Sequence, residues 1–140
     1  MAEVRLAYVN LFARDFVGLA HFYKDLFGFP EIVAHRSPIY RCLDAGGVEL
    51  GFNADAAYDL LALADRRSPD SDWPMPVGCY FTVEVGSTAV VEALASQCVA
   101  LGGRICKAPY LTYYNTRQAV LADPEGNIFR VNHRLAAPAA

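Results

Sequence analysis

Arg117-Gln-Ala-Val-Leu-Ala-Asp-Pro-Glu-Gly-Asn-Ile-Phe-Arg-Val-Asn-His133 reads as a β-hairpin with a legible turn. Asp123 suits the first turn position, Pro124 fixes φ at the second, and Gly126 supplies the positive φ that closes the turn. The flanking residues alternate. Ala119 and Leu121 share one face of the incoming strand, and Phe129 and Val131 share one face of the outgoing strand. Ile128, Arg130 and Asn132 then point the other way, which leaves a charged arginine on a strand otherwise built for burial.

Composition bounds what surrounds this hairpin. The 140 residues suffice for one domain with a real core, and 54% hydrophobic against 19% charged residues excludes a disordered chain. The sequence has no apolar run near the roughly 20 residues of a membrane span, and the expectation is no membrane partner. Met-Ala-Glu-Val-Arg-Leu at the start lacks the long apolar segment of a secretory signal. Cys42, Cys79, Cys98 and Cys106 form no CxxC pair, so free thiols in a reducing cytoplasm are expected. A net charge of −3 without a basic cluster argues against nucleic acid.

Taken in order, Leu6–Ala13 reads as a strand with Tyr8, Asn10 and Phe12 on one face. Asp15 caps a helix to about Phe27, and Gly28 ends it. Short strands are expected near 31–35, 39–43 and 48–53. Residues 54–64 read as one more helix and 66–76 as a proline-rich linker, with Trp73 pinning it to the body. The pattern then returns. A strand spans 80–85, Ser87 caps a helix to about Leu101, and strands follow at 104–107, 117–123 and 127–133. The predicted fold class is α+β: two βαβββ modules (1–54 and 78–135) joined by a helix and linker (55–77), with a tail at 136–140, whose sheets curve around a cleft. The helix positions Leu19, Phe22, Leu26, Val90, Leu94 and Leu101 are assigned to the core.

His21-Phe-Tyr-Lys-Asp-Leu-Phe-Gly28 and Asp123-Pro-Glu-Gly-Asn127 together resemble the vicinal oxygen chelate superfamily, which includes glyoxalase I, the bleomycin-resistance proteins and the extradiol dioxygenases. Arg117 matches a position that is often arginine in the bleomycin-resistance branch. The resemblance implies homodimerisation. It also implies a divalent metal held by histidines and carboxylates from the first and last strands of each module. By position these ligands fall on Tyr8, Glu49, Tyr80 and Arg130, with Cys79 in place of Tyr80 if the register slips by one.

Glu49 alone is an ordinary ligand for such an ion, and arginine has no lone pair to give. His21, His35 and His133 are scattered and are assigned structural roles. Cys42 and Cys106 are read as small hydrophobes on short strands. The expectation is therefore a degenerate metal site and no cofactor, with a divalent metal as the alternative. The expected ligand is a small planar organic molecule, neutral or anionic, lined by Tyr8, Asn10, Glu49, Tyr80, Thr82, Arg130 and Asn132. The aromatic connection 109–115 is expected to form a wall or lid. Three other readings stand beside this one. Glu49 and Arg130 form only an internal ion pair; the protein is a cofactor-free lyase or isomerase with Glu49 as base; or it is a metal-dependent lyase or dioxygenase.

Overall fold

The computed structural model of the chain describes residues 3–67 and 76–136. It forms two compact units, Met1–Asp70 and Ser71–Ala140. Trp73, most of the expected linker and the tail beyond residue 136 lie outside the described residues.

In the first unit, β1 (Tyr8–Phe12), α1 (Phe16–Phe27), β2 (Tyr40–Asp44), β3 (Glu49–Asn53) and a short α2 (Ala56–Leu60) follow one another. The sheet order is β1-β3-β2, with β1 parallel and β2 antiparallel to β3. The predicted caps are in place. The Asp15 carboxylate accepts from Gly18 N at 2.9 Å, and Gly28 adopts the left-handed conformation with its N–H on Lys24 O. α1 turns Leu19, Phe22, Tyr23 and Leu26 onto the sheet, where Tyr23 stacks on Phe52 at 5.6 Å.

The strand expected at 31–35 did not form. Glu31 makes an isolated bridge to Leu43, and Val33–His35 is a turn of 3₁₀ helix. Residues 54–64 hold only the single short α2, followed by a second 3₁₀ turn at Ala64–Arg66. Ala62, at a φ of 59°, interrupts what an alanine-rich sequence would otherwise continue.

The second unit contains β4 (Phe81–Glu84), α3 (Thr88–Ala100), β5 (Arg104–Leu111), β6 (Thr116–Ala122) and β7 (Ile128–Arg134), a complete βαβββ module with sheet order β4-β7-β6-β5. Ser87 Oγ accepts from Val90 N at 3.3 Å and caps α3. The buried residues of α3 are Val91, Ala95 and Cys98, whereas Val90 is exposed. The helix is apolar on most sides, so its periodicity left the buried stripe undetermined by one position. β5 also runs on through Pro109-Tyr-Leu111, so only the end of the expected connection is a turn.

The β6–β7 hairpin keeps the predicted turn and faces, with each strand's bounds one residue from those read. Ala119 pairs with Val131 and Leu121 with Phe129, and all four are fully buried. The turn is closed by Gly126 N on Asp123 O at 3.0 Å, with Gly126 at a φ of 91°. The Asp123 carboxylate, itself buried, accepts from Glu125 N at 2.9 Å, Asn127 N at 3.0 Å and Asn127 Nδ2 at 2.9 Å. Removing it strands amide donors in a half-buried turn. Asp123→Ala is expected to lower stability by about 2–4 kcal/mol. Urea unfolding measures this, and a midpoint unchanged from wild type would show that the turn does not depend on the carboxylate.

Candidate functional site

In each unit the helix covers one sheet face, and the chemistry collects on the other. In the first unit the register Tyr8↔Glu49, Asn10↔Gly51, Phe12↔Asn53 and Cys42↔Gly51 places Tyr8, Asn10, Phe12, Cys42, Glu49 and Asn53 together. An open cavity of about 560 Å³ lies against this face, bounded by Tyr8, Asn10, Phe12, His35, Tyr40 and Asn53. Phe12 stacks on Tyr58 of α2 at 3.8 Å, which fixes one end of the wall. Asn53 Nδ2 donates to Asn10 Oδ1 at 3.3 Å and ties β3 to β1.

His35 and Cys42 were not expected here. The 3₁₀ turn hangs on β2 through Ile32 N to Cys42 O at 3.0 Å, and this carries His35 back over the sheet. His35 Nδ1 then lies 3.2 Å from Glu49 Oε2, and Cys42 Sγ lies 3.7 Å from each of them. Burial, followed by the Glu49 charge, pushes the Cys42 thiol up to about 11. At neutral pH it is therefore a protonated thiol and no nucleophile. Burial and the neighbouring Cys42 also push the Tyr40 phenol well above its usual range.

In the second unit the face opposite α3 carries a continuous polar network. Gln118, fully buried, accepts from Tyr110 Oη at 2.9 Å and Tyr114 Oη at 3.1 Å, and donates to Asn132 Oδ1 at 3.1 Å. Asn132 Nδ2 in turn donates to Glu84 at 2.6 Å, and the other Glu84 oxygen accepts from Arg134 N at 2.7 Å. Arg130 is held from three directions. Its Nε donates to Thr82 Oγ1 at 2.9 Å, its Nη1 donates to Tyr114 Oη at 3.2 Å, and its guanidinium lies 4.9 Å from the Tyr80 ring centroid. Those partners are hydroxyls and a ring, and no described carboxylate of the second unit pairs with it.

A sequence profile of the glyoxalase/bleomycin resistance protein/dioxygenase superfamily matches residues 5–131. The chain belongs to that superfamily. It is similar to a glyoxalase/bleomycin resistance protein/dioxygenase family enzyme from Burkholderia phytofirmans PsJN, with 42% identity over 94% of this chain and 100% of the other, at a TM-score of 0.87. Two more distant structures share the fold. A glyoxalase-related enzyme from Fulvimarina pelagi has 19% identity over 97% and 92% of the two chains, at a TM-score of 0.78. A lactoylglutathione lyase from Agrobacterium tumefaciens has 18% identity over 95% and 96%, at a TM-score of 0.65. No curated protein sequence matches.

Set on this superfamily fold, the expected residues divide by unit. Tyr8, Asn10 and Glu49 share the face of the first sheet, and Thr82, Arg130 and Asn132 share that of the second. One expected correspondence shifts. Tyr8 pairs with Glu49, but the residue paired with Arg130 is Thr82, two positions after Tyr80. A two-residue slide keeps every side chain on its own face, so alternation could not detect it. Tyr80 precedes β4 and meets Arg130 through its ring instead. The one-residue slip that would substitute Cys79 is excluded, since Phe81 pairs with and stacks on Phe129.

Two other assignments change. Cys42 sits buried on the polar face, while Cys106 is exposed rather than packed. Arg117 is bound to Glu92 of α3 (Nε at 2.9 Å), which gives it a partner on the helix that covers this sheet. A signal for His35 and Cys42 did exist. Three metal-capable side chains recur at intervals of seven across 35, 42 and 49, but only the 3₁₀ reversal makes that spacing converge.

Gly51 is a requirement of the first face. A Cβ there would lie 2.2 Å from Asn10 Oδ1 and 2.4 Å from Tyr40 Oη, so both side chains occupy space that only glycine leaves open. Gly51→Ala is expected to drive the Tyr40 ring off the sheet at a cost of about 1–3 kcal/mol. Urea denaturation reads the loss, and wild-type stability in this variant would contradict the packing.

Proposed function

We propose that this superfamily member binds a small planar anionic organic molecule, with Arg130 orienting the anionic group and aromatic side chains covering the ring. The observation that carries this reading is the state of Arg130. Its guanidinium is aimed by Thr82 and Tyr114 and backed by Tyr80, which is half exposed, yet no described carboxylate of its unit pairs with it. A cation pre-oriented in this way loses little side-chain freedom on meeting a carboxylate or phosphate, and its planar fork matches either one. The Gln118–Asn132–Glu84 chain, whose first two members are buried, supports the same reading, because it stiffens the strand that carries Arg130.

The positions where the superfamily holds its divalent metal do not fit that ion in this chain. Tyr8, Tyr80 or Thr82, and Arg130 stand beside Glu49 in that set, and a guanidinium brings positive charge and only donors. The ligand is therefore proposed to bind without a metal at those positions. Its expected mode is hydrogen bonding to Arg130 combined with stacking on tyrosine.

The test is thermal unfolding of chelator-treated protein against a panel of aromatic carboxylates and their neutral amides. A carboxylate at a hundredfold excess over its dissociation constant is expected to stabilise the fold by about 2.7 kcal/mol. Arg130→Gln should weaken that ligand by roughly 10–100-fold while melting normally when unliganded. If no panel member stabilises the protein, or if Arg130→Gln responds as wild type does, the reading is wrong.

A homodimer is proposed on the resemblance to the superfamily, and a cytoplasmic location on four unpaired thiols, two of them exposed. Light scattering at micromolar protein should give twice the 15.3 kDa chain mass. A monomer would remove the dimer proposal.

A further inference from the structure

We propose that His35, Cys42 and Glu49 form a zinc-type metal site within the first unit, distinct from the superfamily's metal positions. Two of these ligands come from β2 and the 3₁₀ turn before it, and neither lies on the first or last strand of a module. Glu49 alone is common to both sets.

Geometry is the main ground. Zinc bonds of about 2.3 Å to sulfur and about 2.0–2.1 Å to nitrogen or oxygen, at tetrahedral angles, set the spacing between ligand atoms. They put nitrogen and oxygen about 3.3 Å apart and sulfur about 3.6 Å from either. The corresponding edges here are 3.2 Å for Nδ1–Oε2, 3.7 Å for Sγ–Nδ1 and 3.7 Å for Sγ–Oε2. The triangle is thus of the right size on all three edges. A hydrogen-bonded trio fixes its edges one at a time and does not require all three to suit one ion.

Chemistry points the same way. Imidazole, thiolate and carboxylate together suit zinc better than the hard cations, which prefer oxygen alone. On binding, the thiol proton passes to solvent, and thiolate plus carboxylate neutralise the ion's two charges. Local structure supplies the rigidity. Cys42 is fully buried on β2, Glu49 is locked in the β1–β3 ladder, and the His35 turn is pinned to Cys42 O.

Three protein ligands leave a tetrahedral ion one further position. His35 lines the cavity beside Tyr8 and Tyr40, and its side chain is 45% exposed, so the ion would sit at the cavity wall within reach of water or a ligand donor atom. This inference stands apart from the Arg130 reading, because it uses residues of the other unit and either one can fail alone.

Cobalt(II) titration of protein purified without a chelating tag tests it, since thiolate ligation gives a sulfur-to-cobalt charge-transfer band in the near ultraviolet. Wild type should show that band, saturating at one equivalent per chain and displaced by zinc. Cys42→Ser should abolish it. His35→Ala, at an exposed position, should weaken cobalt binding by at least about tenfold. Cys79→Ser and Cys106→Ser should leave the band unchanged. Absence of a band in the wild-type protein overturns the site even if Cys42→Ser fails to fold. So does a band that persists in folded Cys42→Ser, resists His35→Ala, or disappears with Cys79 or Cys106.

Discussion

Strand register is the constraint on which the rest of this protein depends. In each unit one helix can cover only one face of the sheet, so every residue is committed by its parity to the core or to chemistry. Parallel pairing of β1 with β3 sets Tyr8 beside Glu49, and parallel pairing of β4 with β7 sets Thr82 beside Arg130. A slip of one residue would bury the arginine and expose Phe129 and Val131, at several kcal/mol for the apolar area alone. The hydrophobic faces thereby hold the polar ones in position. Phe52, Leu121, Phe129 and Val131, none of them solvent-exposed, are as much a part of the sites as the residues that would touch a ligand.

The two polar faces solve different problems. In the second unit, the buried Gln118 and Asn132 are satisfied in a chain that runs from Tyr110 to Glu84. A buried network of this kind is costly if one member is missing and stiff when complete. Arg130 lies at its margin, joined to it through Tyr114, which also donates to Gln118. In the first unit the polar groups are fewer and leave room. Gly51 opens the sheet surface to Tyr40 and Asn10, and His35 folds over Cys42 and Glu49. One face presents a braced cation, and the other presents a cluster of donor atoms beside a cavity.

Much of this was legible in the residues. The Asp123–Asn127 turn, the Asp15 and Ser87 caps, the repeated strand–helix pattern and the buried alternation of β6 and β7 are local devices. Their physics acts over a few residues, so sequence suffices to read them. The face carrying Tyr8, Asn10 and Glu49, and the one carrying Thr82, Arg130 and Asn132, followed from parity. Three things were not legible. The stripe of α3 was ambiguous because the helix is apolar on most sides. The pairing of Thr82 rather than Tyr80 with Arg130 was hidden because a two-residue slide preserves parity. The extension of β5 through Pro109 to Leu111 depends on β6 being there to pair with it.

The approach of His35 and Cys42 to Glu49 belongs to a further class. Each residue had a reasonable local assignment, His35 at a strand end and Cys42 in the core, and nothing within a few positions contradicts either one. The chain itself determined the superfamily fold, the caps, the decisive turn and the split of each strand into an apolar and a polar face, because periodicity and backbone conformation are set by near neighbours. Only the tertiary structure decided which polar residues meet. That depends on ladder register and on one 3₁₀ turn hung from the Cys42 carbonyl, and both are fixed by pairing between segments distant in sequence.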